Sequence, residues 1–309
     1  MKNLIQAIAV LLLACATAQA EDILLISDNY DVTDSATGFG ANSGVNKQIA
    51  TRMTGSAATG LSYIQTATDK SAAAFSITGG KIAVKRSPNS GRFTLSADGT
   101  TAFNLASVLG TASATPAAPV IYEITMSMAN TYQNTTRFSF ALATVESNAN
   151  VWDFGIQLYR ADGADDFYQI GKRIDSGSRV GAQTPDAAGD INESIIATEA
   201  GTYGSELNFL MRVTDAGAES GANYHSQLQL SLDGGNSWFY DTAKDEDLPN
   251  GWRLDGAGRY LSWDQAGAGS GITAPTVTYD NFSVTIVPEP SSLALGLLAG
   301  AVGLIWRRR

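Results

Sequence analysis

The chain has 309 residues, with 20 Lys and Arg against 30 Asp and Glu, a net charge of −10, one histidine and one cysteine. That length admits one large β domain or two small ones. An acidic balance repels phosphate backbones and argues against nucleic acid as a partner. His225, the sole histidine, leaves little from which to build a Ser-His-Asp triad or a His-rich zinc site.

In chain order, the first element is an export signal. Lys2 gives a small positive start, and Leu4 to Ala14 is apolar apart from Gln6. Ala18-Gln19-Ala20 then forms the small-x-small pattern that a signal peptidase accepts, with Glu21-Asp22 directly after it. The apolar run is roughly eleven residues, and at about 1.5 Å per residue it falls short of roughly 30 Å of hydrocarbon. A signal peptide over 1–20, cleaved by signal peptidase at Ala18 to Ala20, is the expectation. Leu12-Leu13-Ala14-Cys15 also resembles a bacterial lipobox, in which an acylated cysteine would tether the chain to a membrane. The Ala-Gln-Ala site is the better cleavage signal. Cleavage there removes Cys15, the only cysteine, and leaves a mature chain without a disulfide, held by its core alone.

The body, residues 21–287, is rich in Gly, Ser, Thr, Ala and Asn and poor in strong helix formers. In its first half, Ile23 to Ile26, Ser62 to Gln65, Ala73 to Ile77, Ile82 to Lys85 and Arg92 to Leu95 read as short strands. Ala102 to Leu109 is the one helix candidate, and Thr111 to Pro119, rich in Ala, Thr and Pro, reads as a connection. The second half is clearer. Ile121 to Met126 mixes apolar and polar positions, Arg137 to Leu142 puts Phe138, Phe140 and Leu142 on one face, and Trp152 to Tyr159 repeats the alternation. Phe167 to Ile174, Leu207 to Val213 and Gln227 to Leu232 follow, with one face for a core and the other for water, as in an antiparallel sheet.

Two clusters of acids fall between these strands. Asp162, Asp165 and Asp166 share a Gly-containing turn, and Asp241, Asp245, Glu246 and Asp247 share another. Ca²⁺ takes several carboxylate oxygens on a flexible loop, so Asp162, Asp165 and Asp166 are the candidate ligands for a structural Ca²⁺, though without EF-hand spacing. A solvated acidic loop is the plainer reading, and no other cofactor is implied.

Ser231-Leu232-Asp233-Gly234-Gly235-Asn236-Ser237-Trp238 resembles the Asp-box, Ser-x-Asp-x-Gly-x-Thr-Trp, with Ser237 in the Thr place. The physics is that of a hairpin turn: two glycines for positive φ, a carboxylate for turn amides, and an aromatic folded back. The sequence pattern occurs once, which argues against a propeller with one box per blade. Further on, Trp252 and Tyr260, flanked by Gly251, Gly256 and Gly258, read as a loop pair able to stack on a sugar ring, while most other aromatics read as core.

The closing strand is Thr276 to Ile286. Its Asp280-Asn281-Phe282-Ser283-Val284 is similar to the last strand of concanavalin A-like and laminin G-like jelly rolls, in which the first and last strands pair. The fold class expected is therefore all-β, a two-sheet antiparallel β-sandwich of jelly-roll type, in one domain.

After it, Val287-Pro288-Glu289-Pro290-Ser291-Ser292 leads into an apolar stretch, Leu293 to Trp306, that ends in Arg307-Arg308-Arg309. The arginines would stay cytoplasmic by the positive-inside rule. Roughly sixteen residues, Ser291 to Trp306, form a short transmembrane helix just under the usual spanning length, which suits a transient anchor. Pro288, Glu289, Pro290 and the cluster Arg307, Arg308 and Arg309 in this order resemble the PEP-CTERM sorting signal over 288–309. The resemblance implies an exosortase as partner and a Gram-negative host that makes exopolysaccharide, with membrane contact only before processing.

Without both end segments the charge grows: Lys2 and the three terminal arginines take four of the 20 bases and Glu289 takes one of the 30 acids, leaving about −13. Catalytic patterns are thin. The Glu-x-Asp-x-x-Glu motif of laminarinase-type jelly rolls is absent, and Glu193, Glu199 and Glu206 lie without strand alternation. The expectation is a non-catalytic exported surface or matrix protein associated with exopolysaccharide. A lectin-like carbohydrate-binding module is the alternative, and a glycan-active hydrolase the second.

Overall fold

A computed structural model describes residues 21–30, 53–65, 75–85, 91–115, 117–130, 137–143, 154–160, 168–173, 195–197, 204–216, 227–241, 258–266 and 275–288. Fifteen strands stand among them. They are β1 (Ile23–Asp28), β2 (Ser62–Gln65), β3 (Phe75–Thr78), β4 (Lys81–Lys85), β5 (Gly91–Ser96), β6 (Val120–Asn130), β7 (Arg137–Ala143) and β8 (Phe154–Arg160). The rest are β9 (Tyr168–Arg173), β10 (Ile195–Ala197), β11 (Leu207–Asp215), β12 (Gln227–Ser231), β13 (Tyr240–Asp241), β14 (Tyr260–Ala266) and β15 (Pro275–Ile286). One helical turn, α1 (Ala106–Leu109), precedes a 3-10 turn over Thr111–Ser113. The helix expected over Ala102 to Leu109 is only its last four residues, because Gly110 at φ 75° closes it and Asn104 Oδ1 takes the amide of Ala106.

The strands form two antiparallel sheets. The first runs β13-β12-β11-β6-β15-β4-β3, with β1 also on β15, and the second runs β10-β9-β8-β7-β14-β5-β2. Strand alternation sets the inner faces. In β11 the residues Leu207, Phe209, Met211 and Val213 point inward, and β6 contributes Tyr122, Ile124, Met126 and Met128. Phe93, Phe140, Leu142, Leu261 and Trp263 answer them from the second sheet. Trp263 stacks on Phe93 at 4.9 Å and meets Phe282 of the opposite sheet edge-on at 5.0 Å, so the two layers share one aromatic core.

The expected pairing of first and last strands is present: Ile23 lies opposite Ile286 and Asp28 opposite Phe282. This is the two-sheet antiparallel jelly-roll sandwich that the closing strand resembles. β15 is interior to its sheet, with β6 along one edge and β4 followed by β1 along the other. Where β4 gives way to β1 the strand bulges at Asn281, whose φ is 51°, a conformation Asn tolerates better than most residues.

Candidate functional site

On the outward face of the first sheet, register brings charged and amide side chains into rows. Arg212 of β11 lies between Glu123 of β6 and Gln229 of β12, and Gln229 lies opposite Asp241 of β13. Arg212 donates from Nε to Glu123 Oε1 at 2.8 Å and also from Nη2, forming a half-buried ion pair. Its guanidinium sits 4.7 Å from the ring of Trp238, a cation–π contact. Gln227 and Gln229 donate to the two oxygens of Asp241 at 2.7 and 3.0 Å. A second row runs from Asn208 through Ser127 to Asn281, and ends at Lys81, which pairs with Glu206 and, at 3.4 Å, with Asp280.

The electrostatics follow from these contacts. The Glu206 hydrogen bond holds the Lys81 ammonium above its usual range. Burial pushes Asp280 up, against the pull of the Asn281 amide and of Lys81. The array is a set of fixed, mutually satisfied donors and acceptors beside a half-exposed indole. Such a surface is chemically suited to polar, uncharged groups that also offer an apolar face.

Trp238 belongs to the turn with the Asp-box pattern, which folds as its residues dictate. Ser231 Oγ donates to Asp233 Oδ1 at 2.7 Å and accepts from the amides of Asp233 and Gly235. Asp233 accepts from the Ser237 amide at 2.9 Å and from its hydroxyl at 2.6 Å, and the hydroxyl bonds above all hold its pKa at about 2. Gly234 and Gly235 take φ of 71° and 88°.

A second turn of this kind stands at the end of β5 in the other sheet. Ser96 Oγ donates to Asp98 and accepts from Gly99, while Asp98 accepts from the amides of Thr100 and Thr101 and from the Thr101 hydroxyl. In both turns an aromatic residue closes the loop by donating its amide to the leucine before the serine: Phe103 to Leu95 at 2.7 Å, Phe239 to Leu230 at 3.0 Å. The sequence pattern missed this copy because the loop is one residue shorter and has no Gly-x-Ser-Trp. The signal that would have found it is Ser-x-Asp-Gly alone.

Two buried polar links join the sheets. Asp215, on the inward face of β11, accepts from Arg259 Nε at 2.9 Å and from Nη2, and both residues are almost wholly shielded from solvent. Arg259 Nη1 also donates to Gly258 O, and its amide reaches Asn104 Oδ1, which ties α1 to β14. Burial near this pair pushes the Tyr122 hydroxyl far above the usual tyrosine range. At the other link, Asp28 accepts from the Tyr30 amide at 2.9 Å and from the Tyr63 hydroxyl at 3.2 Å, with Tyr30 and Tyr63 hydroxyls 3.1 Å apart.

Of the residues singled out from sequence, Tyr260 is described. It is the first residue of β14, half-buried, and stands on a strand where a loop was expected. Trp252 lies outside the described residues, as do Asp162, Asp165, Asp166 and His225. Among the described residues no cluster of three metal-binding side chains occurs. In the sequence Trp238 reads as the aromatic folded back in its turn, and neither Arg212 nor Glu123 is singled out; strand register shows that the three meet.

Pro288 is half-buried and stands two residues beyond the end of β15; between them the Val287 amide donates to Ile121 O at 3.0 Å. Ala18, Ala20, Glu289, Pro290, Arg307, Arg308 and Arg309 lie outside the described residues, as does the apolar stretch before the arginines. No helix among the described residues is long and apolar enough to cross a membrane. Residues 287–309 match the family model described as the PEP-CTERM protein-sorting motif. The chain ends in a PEP-CTERM sorting signal. That signal marks an exported protein sorted to the cell surface and implies an exosortase as its processing partner.

No curated protein sequence matches the chain. Among solved structures it is similar to the carbohydrate recognition domain of Emp47p, at 14% identity and a TM-score of 0.43 over 83% of this chain and 99% of that one. The potassium-bound carbohydrate recognition domain of Emp46p gives 9% and 0.41 over 69% and 84%. An alginate lyase from Pseudomonas aeruginosa gives 12% and 0.39 over 68% and 84%. At these identities and scores, nothing said of those proteins carries over to this chain.

Proposed function

We propose that this is a non-catalytic surface or matrix protein of a Gram-negative bacterium, exported behind a signal peptide over 1–20 and released by exosortase from a short C-terminal anchor. Its sandwich, 21–287, would then associate with exopolysaccharide outside the cell. The observation that carries the reading is the sorting signal over 287–309, attached directly to the last strand of the sandwich. The experiment is the intact mass of the exported protein in hosts with and without exosortase. Loss of Arg307 to Arg309 only when exosortase is present is the expected result. A mature chain that keeps its arginines in the wild-type host would sink the proposal, and a lipid on Cys15 would overturn the cleavage at Ala20.

A lectin-like role is the second reading, and the half-exposed Trp238 over Arg212 favours it, because an indole beside fixed amides and charges suits a sugar ring. Trp252 and Tyr260 remain the other proposed sugar contacts, and Asp162, Asp165 and Asp166 the proposed Ca²⁺ ligands. Glycan-array binding that is lost in Trp238→Ala would support this role; a silent array leaves the first reading alone. A hydrolase has less support. Asp280 is raised by burial, as a general acid requires, but Lys81 lies 3.4 Å from it and stabilises its ionised form. Release of reducing ends from host polysaccharide would reverse that judgement.

A further inference from the structure

Large apolar side chains are exposed at one place among the described residues: Ile23 is 48% and Leu24 41% exposed, both at the start of β1. Register puts them opposite Ile286 and Thr285, at the end of β15 from which the sorting signal leaves. Ile286 and Val287 at the end of β15 are half-buried, as is Ile121 of β6, which bonds Val287 on the side of β15 away from β1. Among the described residues, the end of the sandwich from which the sorting signal leaves therefore also carries the exposed aliphatic side chains, directly after the exposed acids Glu21 and Asp22.

The outer edge of β1 is closed to another strand. Ser27 exchanges amide bonds with Thr54 at 2.7 and 2.9 Å, and the amides of Ser56 and Ala57 donate to Leu24 O and Leu25 O. Gly55, at φ 121°, makes this possible, since a Cβ there would lie 2.3 Å from Leu25 O. With backbone pairing taken up, only the side chains of Ile23 and Leu24 are left to meet a partner.

Tether length says what that partner is. From Ile286, fixed in the sheet, to Leu293, where the apolar stretch begins, an extended chain reaches at most roughly 25 Å at about 3.6 Å per residue. While the apolar stretch is in the bilayer, this end of the sandwich is held within that distance of it, at high effective concentration. Aliphatic side chains partition favourably into the interfacial region. We propose that, in the unprocessed chain, Ile23 and Leu24 dock the sandwich end-on to the lipid interface, holding Pro288 to Pro290 at the membrane surface where exosortase acts. The inference rests on the sorting reading above. Docking ends when cleavage removes the tether, because two side chains alone give too little buried area to hold an acidic domain of net charge about −13 to a membrane.

The test uses the chain after signal-peptide removal, purified from a strain lacking exosortase and reconstituted into phosphatidylcholine vesicles. With Cys15 gone, Leu24→Cys or Ile23→Cys carries a single fluorophore, and Asn208→Cys, exposed on the outward face of β11, is the reference. Nitroxide-labelled lipid is expected to quench positions 23 and 24 but not 208, and the quenching is expected to vanish in a chain ending at Pro288. Vesicle-bound protein with equal quenching at all three positions overturns the docking proposal alone. Protein that does not float with the vesicles overturns the anchor reading and this inference with it.

Discussion

Asp233 is an exposed carboxylate whose oxygens are both occupied by the backbone and hydroxyl of its own turn. Its pKa of about 2 in the fold lies below the 3.8 of a free aspartate. A depressed carboxylate stabilises the fold above its unfolded pKa, and that contribution is lost as pH falls through the folded value. Trp238, at the end of the turn, reports on it. Its fluorescence is expected to change between about pH 4 and pH 2 and to lose that transition in Asp233→Asn. An unchanged acid titration in the variant would show that the turn does not depend on the carboxylate. The buried pair Asp215 and Arg259 follows the opposite logic, because charge removed from water is stable only while it is matched. Asp215→Asn or Arg259→Met alone is expected to cost about 3 to 5 kcal/mol in urea unfolding, whereas Asp215→Leu with Arg259→Met recovers most of it. Equal losses in the double and single variants would mean that the pair contributes more than mutual compensation.

At the scale of elements, β14 is the most telling strand. It carries Trp263, which is fully buried and in ring contact with Tyr63, Phe93, Phe140 and Phe282. Its Nε1 finds no acceptor among the described residues, so the indole is held by packing alone. Trp263→Ala is expected to destabilise by about 3 to 5 kcal/mol, and Trp263→Phe by clearly less, as read by denaturant midpoints at unchanged m-value. Yet β14 was not legible in the sequence. Tyr260-Leu261-Ser262-Trp263-Asp264 does alternate, but Gly251, Gly256 and Gly258 precede it, and they make Tyr260 read as part of a loop. β10 and β13 were missed for another reason: two or three residues hold no period, and they are strands only because β9 and β12 lie beside them. The strands that were legible, such as β7, β11 and β15, are long, cleanly alternating and fixed by their own hydrophobic pattern. Site geometry was the least legible of all. Arg212 and Glu123 stand 89 residues apart in the chain, and nothing local records that β11 lies against β6 in the register that joins them.

For the whole molecule, the decisive fact is that the strand bearing the sorting signal is interior. β15 hydrogen-bonds to β6, β4 and β1, and gives Tyr279, Phe282 and Val284 to the core, each wholly buried. The first sheet cannot close until that strand is available, since β6 would be left with an open edge and both β1 and β4 with no partner on that side. Long-range pairing of this kind, between Ile23 and Ile286, is paid for by loop-closure entropy and comes late in folding. Among the described residues Val287 makes the last sheet hydrogen bond, at the start of the sorting signal, and Pro288 has no amide to continue the ladder. Two truncations separate these roles. A chain ending at Pro288 keeps every strand and is expected to unfold cooperatively at the same temperature as the exported protein. A chain ending at Ala274 loses β15 and is expected to show no cooperative thermal transition and to aggregate through the exposed edge of β6. Circular dichroism melting of the two reads the difference. A folded chain without β15 would show that the sandwich closes without its last strand.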